Sequence, residues 1–333
     1  MLMGHTARSR RATLYVLLGV VGYSCFNFAI DTSQLPTEVA LLERPPTLLY
    51  RFWSPLIQET RAYSLRCPNL ILLTVLVHSS RNELHHALNG KPNISPRHCA
   101  VLLLLHTYEE TRTDYQAAIL GYKKLGWYVI HTSARVPALL GRRLSRYPKL
   151  TPGKFFPHTA TVVYSDTKYV KDINSIDASV LAKKLLNGTQ FGIVQHYGSG
   201  DVTTEYDMIH RSVAGRPAVI DSLDSLDMQM LRLNHTLSSH EQSLYGVEGR
   251  LHAHQLIGSD GSSTMFDEIW LEEFLSGCDR DQIAFYGAAA RMKLRLSMKS
   301  PCKRFNRCGV YVSDFDTKFT LTMHSTLEDL TAS

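Results

Sequence analysis

The most constraining feature of this sequence is an apolar run, followed by an amphipathic segment and a second apolar run. Residues 99–105 form a continuous apolar run, which is typical of a central parallel strand. Residues 114–125 have helical spacing, with Gly126 directly after them, and residues 127–131 have the composition of another strand. A strand, a helix and a strand in this order predict an α/β fold with a doubly wound, mostly parallel sheet and flanking helices.

A basic, proline-rich segment leads into a further predicted strand. The three prolines within residues 146–157 cannot continue a helix interior or a central strand, so we predict a shaped loop there. Residues 159–164 have the composition and length of a buried strand. Asp166 and Lys168 therefore follow a carboxyl strand end, where open α/β sheets bind ligands. There a carboxylate can hold a divalent cation or a ribose hydroxyl, and an ammonium can neutralise a phosphate. The alternative is an ordinary surface turn.

Five sequence motifs follow one another between about residues 120 and 295. In chain order they are residues 146–157 with Asp166 and Lys168, residues 191–197, residues 227–229, residues 270–273 and residues 280–283. Together they resemble the plant and bacterial family named for turgor-regulation-defect and mucilage-related proteins, which are glycosyltransferase-like. The resemblance implies a GT-A-like domain that moves a sugar from a nucleotide-sugar donor to a glycan acceptor.

The same resemblance implies roles for residues within the motifs. Asp166 would hold the donor, directly or through Mn²⁺ or Mg²⁺, and cations would bind its diphosphate. Asp281 or Glu273 would act as general base or orient the acceptor. The other candidates are His196 for catalysis, Lys168, Arg280, Lys149 and Arg146 for donor binding, and Asp227, Gln229, Trp270 and Gln282 for acceptor binding or support.

Several of these residues also have simple structural explanations. Trp270 beside Glu272 and Glu273 could offer a sugar an apolar ring face, or it could lie in the core. Asp279 with Gln282 forms an acidic version of a capping box, which could begin a helix. The segment after the first strand is also shorter than in the family. In related folds this segment helps to bind the nucleotide, so its shortening argues against donor binding. A hydrolase of a lipid or glycan, and a catalytically inactive glycan-binding protein, are therefore the alternative functions.

Two further segments carry chemistry that stays open. Residues 234–265 are rich in His, Ser and Gly and are predicted to be a flexible loop, in which His252 or His254 aligns with a histidine of the family. Residues 314–316 have the D-x-D form of metal-dependent transferases. They lie beyond the resemblance, so we predict a turn.

Residues 12–30 carry no charged side chain and follow a basic N-terminal tail, residues 1–11. Their length just spans the hydrocarbon core of a bilayer, and the positive-inside rule leaves the N-terminus cytosolic. We therefore predict an uncleaved transmembrane signal anchor, with a cleaved signal peptide as the alternative. The rest of the chain would then face the lumen of the Golgi or another secretory compartment, as in a single-pass type II membrane protein.

The remaining sequence features complete the predicted organisation. Residues 31–97 are broken by prolines and are predicted to be a stem, residues 98–300 the transferase domain, and residues 301–333 a C-terminal extension. Three sequons predict N-glycosylation at Asn93, Asn187 and Asn234. Five cysteines follow the anchor, so at least one has no partner within the chain; Cys302 and Cys308 could close a small loop. The net charge of +6 is clustered and no nucleic-acid-binding module is found, so no nucleic-acid partner is expected; the oligomeric state is left open.

Overall fold

The computed structural model of the chain describes residues 45–78, 99–106, 112–134, 141–166, 177–186, 188–195, 202–214, 223–237, 247–256, 262–278, 280–292, 295–298, 310–313 and 320–324. The helices in these ranges are α1 (Pro45–Arg66), α2 (Arg112–Lys124), α3 (Gly141–Leu150), α4 (Pro152–Phe155), α5 (Ala178–Leu186), α6 (Val202–Ala214), α7 (Leu223–Thr236), α8 (Ser262–Ser276) and α9 (Asp281–Arg291). The strands are β1 (Leu70–His78), β2 (Ala100–His106), β3 (Tyr128–Ser133), β4 (Thr161–Ser165), β5 (Phe191–Gln195), β6 (Val247–Gln255), β7 (Arg295–Met298), β8 (Val310–Ser313) and β9 (Thr320–His324).

The strands form one sheet in the order β3-β2-β1-β4-β6-β5-β9-β8-β7. Strands β3, β2, β1 and β4 are parallel neighbours. Strand β6 runs antiparallel between β4 and β5, and β5 pairs in parallel with β9. Strands β7 and β8 extend the sheet by antiparallel pairing, so part of the predicted C-terminal extension belongs to the fold. The predicted α/β class is confirmed, with a parallel half and a mixed half.

Helices cover both faces of the sheet, as the continuous apolar runs predicted. In β2, Val101, Leu103 and Leu105 join one buried cluster, and Leu102 and Leu104 join another. The side chains of a strand alternate between its two faces, so β2 is buried on both sides. The first cluster contains residues of α1, α3, α4 and α6 to α9. The second contains residues of α2 and α5.

The folded domain begins earlier than predicted. The described part of the predicted stem, residues 45–78, consists mainly of α1 and β1, and β1 lies between β2 and β4 inside the sheet. A disulfide joins Cys67, after α1, to Cys99, before β2. Pro55 lies inside α1 and has no N–H to offer the carbonyl four residues earlier, that of Arg51. The Ser54 hydroxyl donates to this Arg51 oxygen at 2.9 Å, so the helix tolerates the proline.

The proline-rich segment is also helical, which corrects the predicted loop over residues 146–157. Helix α3 continues through Pro148 to Leu150. Pro148 cannot bond to the Leu144 carbonyl, but Trp53 Nε1 of α1 donates to that oxygen at 3.0 Å. Pro152 is the first residue of α4, a position where the missing N–H has no intrahelical partner to lose. A tertiary contact therefore replaces the hydrogen bond that Pro148 removes.

The predicted flexible loop over residues 234–265 contains a strand. Strand β6 pairs with both β4 and β5, and His252 and His254 within it are fully buried. Leu251 and Ala253 join the second core cluster, so the two histidines lie on the opposite face of the sheet.

The structure contains no helix, among the residues it describes, that is long and apolar enough to cross a membrane. The predicted anchor over residues 12–30 lies outside the described residues.

Candidate active site

Helix α9 begins at Asp281, and a hydrogen bond from a buried side chain of α8 holds its first turn. The N-cap residue is Arg280, which is extended and makes no capping hydrogen bond through its side chain. The predicted capping box involves Asp279, which lies outside the described residues. Trp270 Nε1 of α8 donates to the Asp281 backbone oxygen at 2.9 Å. This bond holds the start of α9 against α8.

The Asp281 carboxylate is at the centre of a buried ion cluster. Its Oδ2 accepts a short hydrogen bond from Lys149 Nζ, and its Oδ1 lies 3.5 Å from Arg146 Nε. Both cations come from α3, at positions three residues apart, and so lie on one side of that helix. The Lys149 side chain is 1% exposed and that of Asp281 3%, whereas Arg146 is 23% exposed. Arg146 is therefore the cation of this cluster that a ligand can reach.

Burial and charge act in opposite directions on these groups. Burial raises the pKa of the Asp281 carboxyl, but Lys149 and Arg146 outweigh it and hold that pKa well below its usual range. Burial lowers the pKa of the Lys149 ammonium to about 8, against the opposing effect of Asp281. Burial also works against the charged form of Arg146, yet Asp281 leaves the pKa of this guanidinium raised. All three groups are therefore charged at neutral pH.

Asp166 lies beside this cluster, at the carboxyl end of β4. It is half-buried and follows the strand directly. Its charge contributes to the pKa shifts of Arg146 and Lys149, although burial and Asp281 contribute more. The structure thus brings together four residues that the sequence predicted for the site: Arg146, Lys149, Asp166 and Asp281.

An aromatic layer lies beneath the Lys149 ammonium. Lys149 Nζ is 5.0 Å from the ring centre of Tyr164, and the His252 ring stacks on Tyr164 with centroids 5.0 Å apart. Tyr164 and His252 are directly paired across β4 and β6. His252 Nε2 lies 3.4 Å from the Lys149 carbonyl oxygen. Burial, with the charges of His254 and Lys149, holds the pKa of His252 well below its usual value, so this imidazole is neutral.

A second buried polar pair lies beside His252 and was missed by the sequence analysis. His254 Nδ1 is 2.8 Å from Asp267 Oδ1 of α8, and both side chains are almost completely buried. Burial raises the pKa of Asp267, with His254 opposing it. The alternation of apolar and histidine residues over 251–254 was the signal for a strand with a polar inner face.

Trp270 belongs to the core. It is fully buried and lies 5.7 Å from Phe191, 5.6 Å from Phe285 and 5.8 Å from Phe266, measured between ring centroids. The idea that its ring offers a face to a sugar is therefore wrong, and its role is to hold Asp281 through the indole N–H.

Glu273 is held by arginines away from the Asp281 cluster. Its carboxylate lies 3.3 Å from Arg291 Nη1 and 3.8 Å from Arg232 Nη2, and the residue is 9% exposed. A Cβ added at Gly287 of α9 would lie 2.6 Å from Glu273 Oε2, so α9 approaches this carboxylate closely. Glu272 is exposed and pairs with Arg291 at 2.9 Å. These partners give Glu273 a structural role between α7, α8 and α9.

Gln229 and Asp227 lie on opposite sides of α7. Gln229 is fully buried, donates to the Glu273 carbonyl at 3.2 Å and accepts from the Cys278 N–H at 3.2 Å. It therefore supports the end of α8. Asp227 is exposed and accepts a hydrogen bond from the Tyr206 hydroxyl at 2.7 Å.

The other predicted residues lie elsewhere or outside the described residues. Arg280 and Gln282 are half-buried at the start of α9. Asn234 is exposed near the end of α7. Lys168, His196, Asn93, Asn187, Cys302, Cys308 and residues 314–316 lie outside the described residues. Cys278 is buried and forms no disulfide.

The described residues around Asp166 do not fit a divalent metal. Mn²⁺ and Mg²⁺ prefer several oxygen ligands, and Asp166 shares its surroundings with Arg146 and Lys149. Two nearby cations repel a metal ion, and the Asp281 carboxylate is already bound by both of them. Within the described part of the chain, no group of three or more His, Cys, Asp or Glu residues could hold a metal ion. Among the described residues, Arg146 and Lys149 supply the positive charge beside Asp166.

No family model and no curated protein matches the chain. Among solved structures, it is similar to mouse xyloside xylosyltransferase 1 in the apo form, with 12% sequence identity and a TM-score of 0.37. The similarity covers 68% of this chain and 82% of that chain. A similarity at this level assigns the chain to no family.

Proposed function

We propose that the chain is a glycosyltransferase with a GT-A-like domain, which transfers a sugar from a nucleotide-sugar donor to a glycan acceptor. The observation that carries this proposal is the position of Arg146 and Asp166, beside the buried Lys149–Asp281 pair, at the carboxyl end of β4. In open α/β sheets this edge is where ligands bind. The proposal also agrees with the resemblance of the five sequence motifs to the turgor-regulation-defect and mucilage-related family.

The surroundings of the parallel strand ends favour an anionic ligand. Strands β1 to β4 are parallel, so their carboxyl ends share one edge. A Cβ at Gly141, the first residue of α3, would lie 3.9 Å from Val77 Cγ1 near the end of β1. Helix α3 therefore begins at this edge, where the positive end of its dipole favours an anion. Arg146 lies further along the same helix, and a donor diphosphate fits both features.

Each residue of the cluster would have a different task. Arg146, which is partly exposed, would bind the diphosphate, and Asp166 would accept a hydrogen bond from a donor hydroxyl. Lys149 is too buried to touch the donor and is bound to Asp281, so this pair would position Arg146. In the reaction the acceptor hydroxyl oxygen bonds to the anomeric carbon, the bond from that carbon to the diphosphate oxygen breaks, and the hydroxyl proton passes to the leaving diphosphate. The leaving diphosphate keeps the bonding electrons, and Arg146 would stabilise its growing charge.

The two predicted general bases do not fit that task. Asp281 is paired with two cations, which keep its pKa low, and Glu273 is paired with Arg291 and Arg232. Neither carboxylate is placed to accept a proton from the acceptor. This observation favours a second candidate function, a protein that binds the donor or a glycan without turnover.

The cellular location is part of the same proposal. Residues 12–30 would anchor a type II protein in the membrane of the Golgi or another secretory compartment, with the sheet in the lumen. The Cys67–Cys99 disulfide supports this, because stable disulfides form mainly in oxidising compartments. Exposure of Asn234 in a sequon is also consistent with lumenal glycosylation.

A thermal-shift experiment tests donor binding. The full chain is heated with nucleoside diphosphates and nucleotide sugars, each with Mn²⁺ and with EDTA. A ligand at about 100 times its Kd stabilises the native state by about 2.7 kcal/mol, so the melting temperature should rise with one nucleotide. We expect the rise to persist in EDTA and to disappear in Arg146→Ala, while exposed Arg61→Ala on α1 serves as the matched control. No rise with any nucleotide contradicts the proposal.

A further inference from the structure

The outward side of helix α6 carries a shallow, open pocket that the donor site does not use. It has a volume of about 360 Å³ and is lined by Tyr206, Asp207, His210 and Arg211, which we call the α6 pocket. This volume lies in the range of about 300–1,000 Å³ found for small-molecule sites. Val202 and Ile209 on the inner side of α6 are buried in the core, so the helix that carries the pocket is firmly packed.

The side chains of the α6 pocket are held in place by contacts with one another and with α7. The Tyr206 hydroxyl donates to Asp227 Oδ1 of α7 at 2.7 Å. The rings of Tyr206 and His210 are 5.7 Å apart and tilted by 50°. Arg211 Nε donates to the Asp207 carbonyl at 3.2 Å, and within the described part of the chain its two terminal guanidinium nitrogens make no hydrogen bond. An aromatic ring is thus fixed beside both donors and acceptors.

This mixture of groups fits a neutral sugar better than an ion. The Asp207 carboxylate and the nearby Asp227 carboxylate disfavour an anion, and the Arg211 guanidinium in the lining disfavours a cation. Sugar hydroxyls both donate and accept hydrogen bonds, and these side chains supply both kinds of partner. The Tyr206 ring can supply an apolar face with a polar end, which suits the mixed surface of a sugar ring.

Helix α6, which carries the pocket, follows a strand that ends at the same sheet edge as Asp166. Strand β6 is antiparallel to both β4 and β5, so β5 ends at the same sheet edge as β4 and Asp166. Helix α6 begins at Val202, close in sequence to the end of β5 at Gln195. Seven residue steps span at most about 25 Å, so α6 begins within that distance of the edge.

We propose that the α6 pocket binds a neutral sugar unit of the acceptor glycan, away from the transferred sugar. This inference rests on the proposed transferase function, because it assigns the glycan to the acceptor role. A bound unit in the α6 pocket would hold the glycan chain while its reacting hydroxyl reaches the donor at the strand ends.

The test measures binding of the full chain to a panel of neutral oligosaccharides of two to six hexose or pentose units, without donor. We expect at least one oligosaccharide to bind, and its affinity to fall by at least about tenfold in Tyr206→Ala. Arg211→Ala, at an exposed position, should also weaken binding, whereas Tyr50→Ala, an exposed tyrosine on α1, should not. The donor-induced thermal shift should be the same in wild type and Tyr206→Ala, which also shows that the variant is folded.

Two outcomes overturn this inference without affecting the donor site. One is a chain that shows a donor-induced shift but binds none of the oligosaccharides. The other is oligosaccharide binding that Tyr206→Ala and Arg211→Ala leave unchanged. By contrast, a chain that binds oligosaccharides through Tyr206 but shows no shift with any nucleotide contradicts the transferase and leaves a glycan-binding protein.

Discussion

Replacement of either residue of the buried Lys149–Asp281 pair alone should strongly destabilise the protein. Replacement of both residues should cost less unfolding free energy than the sum of the two single replacements. The two side chains are 1% and 3% exposed and hydrogen-bonded to each other. A buried charge that loses its partner keeps its full desolvation penalty, whereas a pair that is replaced completely does not. We therefore expect the effects of Lys149→Met and Asp281→Asn to be strongly non-additive.

The structure sets the expected magnitudes. Loss of one partner of a buried pair costs about 3–5 kcal/mol of unfolding free energy. Lys149→Met should fall near the lower value, since Arg146 still lies 3.5 Å from Asp281 Oδ1. Asp281→Asn should fall near the upper value, because it leaves two cations around a neutral amide. In the double variant only the Arg146 charge is left, and it lies near Asp166. The unfolding free energy lost by the double variant should therefore be smaller than the sum of the two single losses by about 2 kcal/mol or more.

Urea unfolding of the wild type, the two single variants and the double variant measures these values by linear extrapolation. The m-values should agree within error, so that differences in midpoint report stability. Additivity within about 0.5 kcal/mol would refute the reasoning, because independent sites behave in that way. It would mean that Lys149 and Asp281 do not depend on each other in the folded protein.

Three more perturbations follow from the described contacts. Cys67→Ser with Cys99→Ser opens a loop with a sequence separation of 32 residues and should lower the unfolding free energy by about 3–4 kcal/mol; reducing agent should have no effect on this variant but should destabilise the wild type. His252 is neutral when folded, so below pH about 6.5 the unfolded state binds one more proton, and the unfolding free energy should fall by up to about 1.4 kcal/mol per pH unit. His252→Phe should lack this part of the pH dependence, and an unchanged profile would contradict it. Gly192→Ala would place a Cβ 2.0 Å from the Leu185 carbonyl oxygen, so its melting temperature should fall sharply, and a melting temperature equal to wild type would show that the backbone moves freely there.

The elements that the sequence predicted correctly are those whose own residues decide their conformation. The run over 99–105 is apolar at every position, which is typical of a strand buried on both faces, and Leu102 and Leu103 do lie in opposite core clusters. Residues 159–164 were predicted as a strand on composition, and β4 lies there. The position of Asp166 at a carboxyl strand end followed from that prediction.

The elements that the sequence analysis missed depend on partners far away in the chain. Pro148 argued against a helix, but Trp53 donates to the carbonyl that this proline cannot bond. Likewise, His252 and His254 made residues 234–265 look polar and flexible, although inside the core Asp267 pairs with His254 and Tyr164 stacks on His252. Such compensation is invisible in the local sequence.

The site residues divide in the same way. The motifs placed Arg146, Lys149 and Asp281 in one predicted site, but they did not predict that these side chains would be buried. The roles of Glu273 and Trp270 were decided by Arg232, Arg291 and the Phe cluster, which lie on other elements. Residue type alone therefore identified the charged groups and failed to separate a reacting carboxylate from a structural one.

Release of nucleoside diphosphate tests the proposed transfer most directly. The full chain is incubated with each nucleotide sugar and the neutral oligosaccharide panel, and the diphosphate product is measured over time. We expect one donor to be turned over by the wild type, and the rate to fall by at least about 100-fold in Arg146→Ala, as when a charge-stabilising group is removed. A chain whose melting temperature rises with a donor, but which releases no diphosphate from any of them, would contradict sugar transfer and identify a donor-binding protein.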